Sequence, residues 1–91
     1  MDDQLLFEEL LRATEKLDIR IRIEPFETPA TSGGGLCIVR GEPLVLLDVQ
    51  APLRDRILAL ARALAHLESD RVYMAPQARA LVEALRGASG E

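Results

Sequence analysis

The residues most capable of chemistry lie together in one stretch of this 91-residue chain, Gly33-Gly34-Gly35-Leu36-Cys37, where three glycines precede the only cysteine. Glycine runs bind phosphate when they present backbone N–H groups and a helix N-terminus to the anion. Here a strand-like run, Leu36–Arg40, follows instead, with neither a Gly-Lys-Ser/Thr sequence nor G-x-G-x-x-G spacing. The glycines therefore read as a connector that lets the backbone turn before it enters a sheet. A reactive cysteine needs exposure and a nearby cation or helix N-terminus. Cys37 sits between Leu36 and Ile38, on the same strand face as Val39, and reads as a small buried hydrophobe.

The one histidine, His66, closes the window Arg62-Ala-Leu-Ala-His66. A helix after a hairpin, ending in histidine, resembles the layout of small zinc metallopeptidases with their H-E-x-x-H motif. Only the second histidine position is kept. Arg62 stands where the first ligand belongs, and Ala63 where the general base belongs. Catalytic zinc needs about three protein ligands and a base for its water. No metal and no catalytic residue is expected on this reading. The helical phase turns His66 toward solvent, which also argues against a Cys37–His66 nucleophilic pair.

Arginine is the most informative polar residue. Arg20 and Arg22 share one face of a strand, and Arg40, Arg54 and Arg56 approach them if the strands pair. Guanidinium forks suit carboxylates. Such a face is either solvated and salted against an acidic helix, or a docking surface for an acidic partner, including a second copy of the chain. The paired acids Asp2/Asp3 and Glu8/Glu9 belong to an exposed helix face, and no acid lies in an evident apolar pocket that would suit acid–base work.

The elements that must carry these residues follow from period and punctuation. Leu6, Leu10, Ala13 and Leu17 predict a helix over 2–17, capped by Asp2 or Asp3. The strict alternation Ile19-Arg-Ile-Arg-Ile23 predicts a half-buried strand ended by Pro25. A loop from Glu27 to Gly35 leads to two apolar runs, 36–40 and 44–48, around a Gly41-Glu42-Pro43 turn: a β-hairpin. Pro52 suits the first position of a long helix, Leu53 to about Ser69. Val72–Met74 reads as a short extended piece, and Pro76 opens a last helix stopped by Gly87. The expected fold is α+β, a small, mainly antiparallel sheet of three to four strands with three helices on one face. The order is α-β-β-β-α-(β)-α, with residues 1–87 as one domain and 88–91 as a flexible tail.

Composition bounds the function. Hydrophobic residues make up 48% of the chain, yet only Phe7, Phe26 and Tyr73 are aromatic, so the core is aliphatic. That much aliphatic surface on one small domain points to dense packing or to contact with another subunit. Both hairpin strands are nearly continuous in apolar character, which implies cover on both faces or one face used by a partner. The net charge is −4, and residues 1–18 alone carry it, with six acids and two bases. An acidic chain without clustered cations is not expected to bind nucleic acid. No run of about 18 apolar residues is present, so no membrane span is expected. The acidic start does not read as a signal peptide, and a lone cysteine fits a reducing cytoplasm.

Gly34-Gly35-Leu36-Cys37, Val45-Leu46-Leu47-Asp48 and Val72-Tyr73-Met74-Ala75-Pro76 with Arg79 resemble a group of short bacterial proteins of unassigned function. The resemblance spans about residues 4–86 and implies a small cytoplasmic bacterial domain. It carries over no catalytic residue and no cofactor. The leading expectation is a non-enzymatic interaction module that forms a homodimer. The alternative is a small-ligand-binding protein or enzyme built on loop 27–37 and the Arg20/Arg22 face. Contacts to a ligand or partner are expected at Arg20, Arg22, Gly33, Gly34, Gly35, Cys37 and Arg40.

Overall fold

Asp2 opens the first helix: its carboxylate accepts a hydrogen bond from the Leu5 N–H at 2.8 Å, satisfying one of the free donors at the helix start. The computed structural model describes residues 1–25, 34–67 and 69–89. Helix α1 runs Asp3–Lys16 and buries Leu6, Phe7, Leu10, Ala13 and Thr14, the face its spacing marks out. Buried Thr14 satisfies its hydroxyl on the Leu11 carbonyl at 2.6 Å. Asp18, in the left-handed region at φ 57°, turns the chain into β1, Arg20–Glu24.

Strand β2 is Gly34–Val39 and β3 is Glu42–Asp48. Arg40 and Gly41 link them with φ 54° and 82°, the two positive values that a tight two-residue hairpin turn requires. Helix α2 spans Leu53–His66, with Pro52 at the cap rather than inside the first turn. Its carbonyl still accepts from the N–H groups of Asp55 and Arg56. Helix α3 spans Pro76–Ser89.

The sheet is mixed and has three strands in the order β1-β3-β2. It is not the mainly antiparallel sheet of three to four strands that the sequence suggests. β2 pairs with β3 antiparallel, as the hairpin requires, but β1 joins the far side of β3 in parallel, Arg20 opposite Leu44 and Glu24 opposite Asp48. The physical reason is burial. β3, whose Val45 and Leu47 are fully buried where β2 leaves Ile38 and Val39 exposed, takes the centre, where both edges of its backbone find partners. β1, arginine on every second residue, suits an edge.

Val72–Met74, the extended piece that allowed a fourth strand, joins no sheet among the described residues. Its backbone is engaged by side chains instead. Arg79 donates to the Val72 carbonyl at 2.6 Å and to that of Ser69 at 3.1 Å. The Ala75 N–H donates to Glu9 at 3.1 Å. Ser69, placed by helical phase on the solvent side, is fully buried. α2 ends at His66, and the Ser69 hydroxyl donates to the Leu64 carbonyl at 3.2 Å and accepts from Arg86 at 3.2 Å. Gly87 does not stop α3, which passes through it to Ser89, so the helix overruns the expected 87/88 boundary.

All helix contact falls on one face of the sheet. Ile21, Leu36, Val45 and Leu47 belong to the core with Leu10, Leu60, Leu64 and Val82. Leu44 and Leu46, which point the other way from the same strand, are half-buried and lie outside that core. Leu47→Ala should therefore cost about 2–5 kcal/mol in urea unfolding, as a full core truncation does. Leu46→Ala, measured at low protein concentration, should cost less than about 1 kcal/mol.

Candidate functional site

Two surfaces meet at β2, one on each side of the sheet. On the helix side, β2 and α2 border an open groove of about 360 Å³ lined by Gly34, Gly35, Leu36, Ala59, Arg62, Ala63 and His66. Its narrow walls follow from residue size. Gly34 and Gly35 put no side chain on the strand, and Ala59 and Ala63, four apart, put little on the helix. Arg62 and His66, also four apart, stand exposed at its rim.

Gly34 and Gly35 are strand residues rather than connector, and they differ from each other. Gly34 has φ 151°, and a β-carbon built there would collide with the Leu46 carbonyl oxygen and sit 3.0 Å from the Leu47 α-carbon. Close passage of β3 thus demands glycine at 34. A β-carbon at Gly35 meets nothing within 4 Å. Gly33 and the rest of loop 26–33 lie outside the described residues.

No described helix packs on the opposite face. Register places Arg20, Leu44 and Cys37 in one row across the sheet, with Arg22, Leu46 and Gly35 in the next. Cys37 is exposed, not buried as its apolar neighbours suggest. The two-residue period puts Leu36 into the core and Cys37, with Val39 at 47% exposure, onto the open face. Cys37 and His66 consequently lie on opposite sides of the sheet and form no nucleophile–base pair. Among the described residues, no group of three His, Cys, Asp or Glu side chains is placed to hold a metal ion.

The arginines separate. Arg20 lines a shallow cavity with Val39, Arg40 and Glu42 at the hairpin-turn end of the open face. Arg22 pairs with Glu24 at 3.1 Å. Among the described residues, neither lines the groove beside Gly34 and Gly35. Arg54 bridges to α1 by an ion pair with Asp3 at 3.3 Å. Arg56 lies over the Phe7 ring, 5.5 Å from its centroid, on the core side. The groove residues Arg62, Ala59 and Ala63 escaped sequence reasoning as a site. The signal was present: two alanines at helical spacing beside a glycine-rich strand leave room.

No protein-family model, curated protein or solved structure matches the chain. No described helix is long and apolar enough to cross a membrane.

Two substitutions separate the glycines: Gly34→Ala should lower the urea midpoint markedly, and Gly35→Ala should leave it within about 1 kcal/mol of the parent, a typical surface-site effect. In dilute folded protein, Cys37 should react with a small disulfide reagent within about tenfold of the rate in urea, whereas a buried thiol is inert.

Proposed function

We propose that this chain is a small, cytoplasmic, non-enzymatic interaction module that associates with a second copy of itself through the helix-free face of its sheet. The observation that carries this reading is the central strand. Among the described residues, Leu44 and Leu46 belong to no core, and Cys37 and Val39 extend the same apolar strip to the edge strand. A sheet normally covers an apolar face with another layer. A single exposed thiol on that strip is compatible with a reducing compartment.

Magnitude favours a reversible dimer. Three strands about 4.8 Å apart and about 20 Å long offer roughly 300 Å² of planar face. Stable interfaces bury about 800 Å² of accessible surface per partner. A face of that size belongs to the weak, transient class of contacts, in which protein concentration controls association.

The groove supports a second reading, a site for a small anionic ligand. Arg62 and His66 offer donors, and among the described residues no carboxylate or hydroxyl lines the walls. Those groups suit holding a ligand better than transforming one.

Sedimentation equilibrium should give a mass that rises from monomer toward dimer between low and high micromolar concentration. Leu46→Asp should remain folded and stay monomeric throughout. Monomer alone at several hundred micromolar would remove the first reading. A groove-centred shift of the His66 ring signals on adding simple carboxylates would favour the second.

A further inference from the structure

We infer that two copies stack open face on open face with their strands running in opposite directions across the interface, so that Arg20 of each lies over Glu24 of the other. This rests on the self-association proposed above and adds its geometry. The open face is electrically lopsided along the strands. At the hairpin-turn end stand Arg20 and Arg40, tempered by Glu42. At the other end the register sets Glu24 beside Asp48. Arg20 shares its row with the apolar Leu44 and Cys37, and the row between the two ends holds Leu46 with Arg22, whose guanidinium is 3.1 Å from the Glu24 carboxylate.

Identical faces packed on each other form an isologous contact, with the two-fold axis in the plane between them. An axis parallel to the strands would put Arg20 over the partner copy's own arginine end and acid over acid. An axis across the strands, through the Arg22–Leu46 row, puts each Arg20 over a Glu24, with Arg22, already paired with Glu24 of its own copy, on the axis. Like charges directly opposed disfavour the first arrangement, and complementary ends favour the second. Rim charges of this kind fix orientation more than affinity. The apolar centre supplies the contact, and the charged ends set its direction. Arg20 is exposed and makes no ion pair among the described residues, so it is available for this role.

The test is a charge exchange within one strand. Sedimentation equilibrium of wild type, Arg20→Glu, Glu24→Arg and the double variant gives four dissociation constants, with circular dichroism melts to verify folding. Each single change opposes like charges at two symmetric places, so each should weaken the dimer roughly tenfold. The double variant restores the complementarity with its ends exchanged, and Arg22 then has Glu at position 20 as its neighbour. It should recover to within about threefold of wild type. Single variants that dimerise like wild type would overturn the orientation, as would a double variant that is weaker than either single one. A dimeric wild type with such variants sinks only this geometry. A monomeric wild type sinks the self-association as well.

Discussion

The structure depends on the central position of β3. Its four-residue apolar run alternates across the sheet, so Val45 and Leu47 enter the core completely while Leu44 and Leu46 must point away from it. A one-residue slip would exchange the two pairs, and the helices pin the register by burying only one set. β1 and β2 then have no choice of face. Ile21 and Leu36 follow Val45 inward, and Arg20 and Cys37 follow Leu44 outward. The open face, its charge polarity and the groove beside β2 all descend from that one constraint.

A second layer of order comes from arginine. Arg79 and Arg86 hold the turn between α2 and α3 by donating to the carbonyls of Ser69, Val72 and Ala65. The Arg79 Nη1 makes no hydrogen bond and relies on Asp70 and Glu83 at 3.7 and 3.8 Å. These contacts are partly buried, so losing them strands backbone acceptors, and they count for more than an exposed ion pair. Arg20 and Arg40, by contrast, take part in no such framework among the described residues. The chain thus divides its arginines between holding its own loop and presenting charge outward.

Much of the fold is legible in the sequence because it rests on local periodicity. The three helices, the Ile/Arg strand and the hairpin follow from spacing, turn residues and caps. The parallel pairing of β1 is not legible, because strand order is decided by which run best fills the centre, a comparison among distant segments. Local pattern also misjudged Cys37: apolar neighbours implied burial, whereas the period of two, applied against Leu36, puts it outside. The 72–74 segment reads as a strand because nothing local announces that Arg79 will take up the Val72 carbonyl and Glu9 the N–H of Ala75 beside it. The arginine face was visible as alternation, but its partners were not, since Arg40 reaches it only through the register of the hairpin.

Cys37 sits within the open face and reports on it directly. The rate of its modification by a small thiol reagent, followed from low to several hundred micromolar protein, tests whether that face is the one that associates. The account predicts that the rate falls in step with the rise in mass. A rate that stays constant while the mass doubles would place the contact elsewhere and contradict it.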